Sequence, residues 1–200
     1  MNKIIFLLTA AIVAAIIFFV PPIKGLGELA KIIFFHVPTA WVSVVAFLAS
    51  AYFAAKFLQT QDFSFDELSA RAAKLGFIFV LLSTVSGAIF SKLTWGAYWN
   101  WDPRQTTIFV LILIYGAYLT LRAAVSDEKV RAKVSAVYSL LSVLTVPFLV
   151  FILPRMFFSL HPSPISSSGI EMDSEVLIVL IAAVVDATLI FVRLMRMSKS

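Results

Sequence analysis

The chain has 200 residues, 61% of them hydrophobic and 14% charged, with a mean hydropathy of +0.99. Soluble domains carry about 25% charged residues, so this composition excludes a water-soluble globular domain and indicates an integral membrane protein of about six spans at roughly 20 apolar residues each. The net charge of +5 sits mostly at the ends of apolar runs and forms no basic stripe among polar residues, which excludes nucleic-acid binding.

Hydropathy predicts six apolar segments in chain order: Ile4–Val20, Ile32–Leu58, Leu75–Leu93, Thr107–Ala124, Ala132–Leu153 and Val176–Met195. The first has Lys3 ahead of it and is stopped by Pro21-Pro22; it is longer than the apolar core of a secretory signal and lacks a clear cleavage site, so a retained helix is expected. The second is long enough to tilt. Pro147 is expected to kink the fifth and Pro154 to end it. The loop 154–174 is rich in Pro and Ser, and no internal repeat is visible. The expected fold is therefore a single all-α membrane domain over residues 1–200, a six-helix bundle.

The basic residues choose its orientation. With the N-terminus cytoplasmic, Lys3, Lys56, Arg71, Lys74, Arg122, Lys129, Arg131, Lys133, Arg193, Arg196 and Lys199 lie inside, against Lys24, Lys31, Lys92, Arg104 and Arg155 outside. Eleven of the sixteen are then inside, which favours both termini in the cytoplasm. The same topology places His36, at the start of the second segment, and His161, after the fifth, on the outer side. The loop of about 93–106 between the third and fourth segments joins them there.

That loop reads WGAYWNWDPRQT over residues 95–106 and holds three of the four tryptophans. An interfacial belt would spread such rings over several helix ends; here they cluster, which favours a surface for a flat ligand. Trp41, five residues after His36, adds a fourth ring. Trp95 and Trp99 would share a face if the loop were helical. Asp102-Pro103-Arg104-Gln105 reads as an N-cap, a first helical proline and a reciprocal capping glutamine. Arg104 then stands beside a helix N-terminus, where an anionic group such as a propionate or a lipid phosphate is favoured.

Two imidazoles on one side can bind a haem iron from opposite faces, while they make a poor zinc site, which wants three or four protein ligands. Each histidine taken alone is equally compatible with a hydrogen-bonded interfacial side chain. The absence of cysteine removes disulfides, iron–sulfur ligation and Cys-x-x-Cys-His haem attachment. No Walker A motif is present, so ATP use by this chain is not expected.

With these residues in view, WGAYWNWDPRQT resembles the WWD signature of the haem-handling proteins of cytochrome c biogenesis, and KIIFFHVPTAW and SLHPSPI resemble the CcmC type's segments around its two outer histidines. The resemblance runs from about Leu29 to the end of the sixth segment. It implies that His36 and His161 are axial ligands of a non-covalent haem b. It also implies that Trp95, Gly96, Tyr98, Trp99, Trp101 and Asp102 form the haem-facing surface, and that Arg104 meets a propionate. Lys31 matches a basic position that is often arginine, and lysine keeps the charge without the bidentate fork. Pro103 departs from the small residue of some relatives. The implied setting is a bacterial or archaeal cytoplasmic membrane, with the haem site on the outer face. The implied partners are a CcmE-type haem chaperone, a small CcmD-type subunit, a CcmAB-type ABC transporter that would supply any ATP use, and membrane lipid. The implied act is delivery rather than catalysis.

Two other functions compete. A secondary transporter for haem or another amphiphile would favour inverted repeats and a midplane site, and neither is visible. A membrane oxidoreductase would need more than one haem site near one face. Asp186, midway along the sixth segment in VVDAT, is expensive in a bilayer; the reading favoured is a hydrogen bond to Ser or Tyr groups on neighbouring helices, ahead of a proton relay or a contact with a small partner subunit.

Overall fold

The computed structural model describes residues 3–22, 26–161, 165–166, 169–170 and 172–197. Lys24 and Lys199 of the charge count, and residues 162–164 of the second histidine segment, lie outside them. The described residues form helices α1 (Lys3–Phe18), α2 (Ile33–Thr60), α3 (Phe63–Trp95), α4 (Pro103–Ala124), α5 (Glu128–Pro147) and α6 (Ser174–Arg196). A 3₁₀ turn (Glu28–Ile32) leads into α2. Two-residue strands at Ile165–Ser166 and Gly169–Ile170 pair antiparallel ahead of α6. Among the described residues the regular structure is helical apart from that ribbon.

Five stretches are long and apolar enough to cross a membrane: Glu28–Thr60, Phe63–Trp95, Pro103–Ala124, Glu128–Arg155 and Ser174–Arg196. The first apolar segment forms a shorter apolar helix, Lys3–Phe18, and is not among them. Its helix has 16 residues, because Phe19 and Val20 both donate to the Ala15 carbonyl and Pro21-Pro22 then prevents continuation. The third is longer than hydropathy indicated, starting twelve residues earlier. Asp62 caps it by accepting from Ser64 N–H at 2.9 Å, and Asp66, Glu67, Arg71 and Lys74 form a polar first half that an apolar scan does not register. At 33 residues α3 is about 50 Å long, well beyond the roughly 30 Å of hydrocarbon. At Pro147, where a kink was expected, the α-helix gives way to a π turn (Phe148–Ile152) and then a 3₁₀ turn (Leu153–Arg155).

The turns α2–α3 and α4–α5 are two and three residues long, which makes those pairs antiparallel neighbours. α2 is the central helix and packs on α3, α5 and α6. Its buried face is mostly small (Ser43, Ala46, Ser50, Ala51, Ala54), the composition that lets membrane helices approach closely. Mid-bundle, Phe47 stacks on Tyr115 with centroids 3.5 Å apart, within a cluster of Val44, Val80, Leu111, Val146 and Leu149. Gly76 makes room for that stack, since a Cβ there would lie 2.6 Å from Phe47 Cε1. Leu141, Leu144, Ile178 and Val85 face outward, as a lipid-facing surface requires.

Several buried polar groups are paired across helices. Asp186 accepts from Thr9 Oγ1 on α1 at 2.7 Å, so its partner is a hydroxyl of a neighbouring helix, a threonine in place of the Ser or Tyr the sequence reading named, and the bond ties α1 to α6. Ser50 links to Ser69 and Ser139 at 3.2 and 3.0 Å. At the end of the bundle away from the histidines, Arg122 forks onto Asp66, with Nη1 donating to Oδ1 at 2.7 Å and Nη2 to Oδ2. Arg71 closes the same end by donating to the Met195 and Met197 carbonyls at 2.9 and 2.6 Å, where α6 leaves its last carbonyls unpaired.

Breaking one side of the Arg122–Asp66 fork leaves an uncompensated buried charge. Arg122→Leu is expected to cost about 3–5 kcal/mol of stability, read by denaturant unfolding in detergent, and the double variant Asp66→Leu/Arg122→Leu to recover most of the loss.

Candidate functional site

The site is built from two helix ends and two connections. α3 stops at Trp95 because Gly96 takes φ +83° and its N–H returns to the Lys92 carbonyl at 3.2 Å. The seven residues 96–102 are therefore a loop and not a helix. The expected shared face of Trp95 and Trp99 does not form: Trp95 packs edge-on against Phe90 at 5.5 Å, while Trp99 packs edge-on against Trp101 at 5.8 Å and Phe109 at 6.1 Å. Lys92 crosses the loop, donating to the Gly96 carbonyl at 2.9 Å and lying 5.6 Å from the Tyr98 ring centroid. Tyr98 is 61% exposed and Trp101 72%, so this loop presents bare rings. Trp101 sits at φ +54°, a conformation a bulky residue adopts only where its surroundings enforce it.

Asp102 caps α4 and Pro103 opens it, as the sequence predicted. The reciprocal half of the capping box is different. Gln105 Oε1 accepts from Asn100 N–H at 2.8 Å, so the glutamine pins the loop two residues upstream of the cap. The Asp102 carboxylate, 5% exposed, also serves a second segment. Oδ1 accepts from Arg104 N–H at 2.9 Å, both oxygens accept from the Ser159 hydroxyl at 3.0 and 2.9 Å, and Oδ2 accepts from Leu160 N–H at 2.7 Å. The Ser159 oxygen in turn accepts from His161 N–H at 3.1 Å. One carboxylate thus joins the ring loop to the backbone that carries the second histidine.

His36 projects from the first turn of α2 onto α3. Its Nδ1 lies 2.9 Å from the Ser83 carbonyl, which can only accept, so Nδ1 carries the proton and Nε2 keeps its lone pair. Ser86 Oγ, itself donating to Ser83 O, stands 3.2 Å from the same nitrogen. A carbonyl acceptor at this distance fixes both the tautomer and the orientation of the ring. The His36 and His161 rings face each other with centroids 6.1 Å apart and planes inclined at 39°. Among the described residues no group of three or more His, Cys, Asp or Glu could hold a metal ion, so the imidazole pair is a two-ligand arrangement.

The structure thus gathers His36, His161, Asp102 and the ring loop at one end of the bundle. Arg104 is half-buried in the first turn of α4, close enough to Arg155 for their charges to interact. Lys31, in the 3₁₀ turn before α2, pairs with Glu28 at 2.9 Å. Trp41 does not join the loop rings. Five residues after His36 it is turned about 140° around the helix and is 46% exposed. Sequence reasoning missed Ser83, Ser86, Gly87 and Ser159. The run STVSG on α3 carried a signal, small residues at i, i+3 and i+4 that admit a neighbour's side chain; Ser159 carried none.

A Cβ on Gly87 would lie 2.9 Å from His36 Cε1 and 3.3 Å from Nδ1, so this glycine is the seat of the ring. Gly87→Ala is expected to cost about 1–3 kcal/mol by overpacking when His36 is present and little in a His36→Ala background. A double-mutant cycle of unfolding free energies checks the coupling.

Comparison with known proteins agrees with this geometry. The family model described as "CcmC: Heme exporter protein C" matches residues 1–200. A putative cytochrome c biosynthesis ccmC-like mitochondrial protein of Marchantia polymorpha is 32% identical over 172 residues, 86% of this chain and 72% of that protein. Heme exporter protein C of Bradyrhizobium diazoefficiens is 31% identical over 170 residues, 84% of this chain and 64% of its own length. The cytochrome c biogenesis protein CcsA of Panax ginseng is 33% identical over 100 residues, half of this chain and 29% of that protein. The chain therefore spans only part of the length of the relatives it matches. With a family model matching throughout its length, and with paired histidines beside a tryptophan loop, this chain belongs to the CcmC family of haem exporter proteins.

Proposed function

We propose that the chain holds a non-covalent haem b as cargo between His36 and His161 and delivers it to a CcmE-type chaperone for c-type cytochrome maturation. The observation that carries this reading is the facing pair of rings, 6.1 Å between centroids. Two imidazoles that each place a nitrogen about 2 Å from one metal ion have centroids roughly 6 Å apart. The Nδ1–Ser83 hydrogen bond leaves the His36 Nε2 lone pair available, and imidazole pairs are established haem-type donors. Tyr98, Trp99 and Trp101 supply apolar rings for the porphyrin, with Trp95 buttressing the loop's start; Gly96 serves by ending α3, and Asp102 by fixing the loop. Arg104 would meet a propionate, with Lys31 in an outlying role, while Trp41 lies away from the loop rings and takes no part. Haem remains exchangeable because the chain has no cysteine to attach it.

The topology in this reading has six spans and both termini in the cytoplasm, the site lying on the outer side of a bacterial or archaeal cytoplasmic membrane. Supporting it, Thr9 reaches Asp186 halfway along α6, so α1 lies beside a spanning helix at mid-depth. A 16-residue helix covers about 24 Å, which modest thinning or the residues 19–22 that follow accommodate. A CcmD-type subunit and a CcmAB-type transporter would be the partners, with ATP used by the latter.

The test is the absorption spectrum of the protein purified from haem-replete cells. Wild type is expected to show the split, sharp reduced bands of six-coordinate low-spin haem, and His36→Ala and His161→Ala each to lose them. A colourless wild type, or a spectrum indifferent to both substitutions, would overturn the reading.

A further inference from the structure

The segment that carries His161 has little regular structure of its own. After the 3₁₀ turn at Leu153–Arg155 it bends through Met156, Phe157 and Phe158, which are 67%, 59% and 88% exposed. An axial ligand on such a segment needs an external constraint, because backbone freedom at two or three residues moves an imidazole by ångströms. Ser159 is where the segment turns inward and becomes half-buried. Its hydroxyl has one proton, directed between the two oxygens of Asp102 at 3.0 and 2.9 Å, and its oxygen then accepts the His161 N–H at 3.1 Å. Leu160 N–H adds a parallel bond to Asp102 at 2.7 Å. Three consecutive residues, the last of them the histidine, are thereby referenced to one buried carboxylate. The carboxylate is immobile for an independent reason: it caps α4 through Arg104 N–H.

We infer that Ser159 is a positioning residue, its hydroxyl relaying Asp102 to the His161 backbone so that the ring loop and the second histidine are set and released as one unit. The inference rests on the haem reading above for its function, while the geometry it describes belongs to the chain itself. Trp101, next to Asp102, is the most exposed ring of the loop and is held at φ +54°.

Ser159→Ala removes the relay and little else, Ser159→Thr restores the hydroxyl, and Asp102→Asn replaces one acceptor by a donor. Two measurements are made on the full chain in nanodiscs. In cargo-free protein, hydrogen exchange at the Leu160 and His161 amides is expected to speed up at least tenfold in Ser159→Ala and Asp102→Asn and to return towards wild type in Ser159→Thr, about what loss of one charge-assisted hydrogen bond allows. In haem-loaded protein, Ser159→Ala is expected to turn the six-coordinate low-spin spectrum into a five-coordinate high-spin one that Ser159→Thr reverses, with His36 still bound. Unchanged exchange in Ser159→Ala overturns the relay. A wild-type spectrum that depends on both histidines but is retained in Ser159→Ala overturns its role in ligation. A wild type with no histidine-dependent spectrum counts against haem binding instead, and the exchange result then decides the relay.

Discussion

A buried carboxylate shared between two segments is the constraint on which the histidine-bearing end of this protein depends. Asp102 satisfies an N–H at the start of α4, a hydroxyl and an amide of the segment before His161, and it does so at 5% exposure, where each unmet donor would be costly. Because Asp102 follows directly on Trp99-Asn100-Trp101, the rings and the second histidine share one anchor. The first histidine has its own, the Ser83 carbonyl across from it on α3, and the glycine that leaves space for the ring. Two independent anchors, one on each side, bring imidazoles from residues 36 and 161 to face each other.

The rest of the bundle keeps those anchors in place under the rule that polar groups inside a membrane must find partners there. Asp186 meets Thr9, the serines of α2, α3 and α5 meet one another, and Arg122 meets Asp66 at the far end. Between the Arg122–Asp66 fork and the histidines lies the apolar cluster around Phe47 and Tyr115. The arrangement separates a structural polar end from a functional one.

Much of this was legible in the sequence where the physics is local. Asp102-Pro103 announces the start of α4, and the positive charges put both histidines on the side of the tryptophan loop before any contact is known. The location of α3's start was not legible, because Asp66, Glu67, Arg71 and Lys74 hide a capped helix from an apolar scan. The end of α1 was legible, since Pro21-Pro22 stops the first segment in the sequence and the helix ends at Phe18. Long-range partnerships carried least signal. Ser159 is 57 residues from Asp102, and nothing about a serine in a loop foretells a buried acceptor. Trp41 shows the converse: nearness to His36 in sequence suggested nearness in the site, and the helical turn places it elsewhere.

The account's central claim is that one haem iron takes its two axial ligands from His36 and His161. Near-infrared magnetic circular dichroism of the ferric, haem-loaded wild type identifies the axial pair directly, without depending on a variant's folding. The account predicts the charge-transfer band of low-spin haem with two neutral imidazoles, and electron paramagnetic resonance from a single low-spin species. A high-spin signal, or a band from one imidazole with water or another donor, would contradict it.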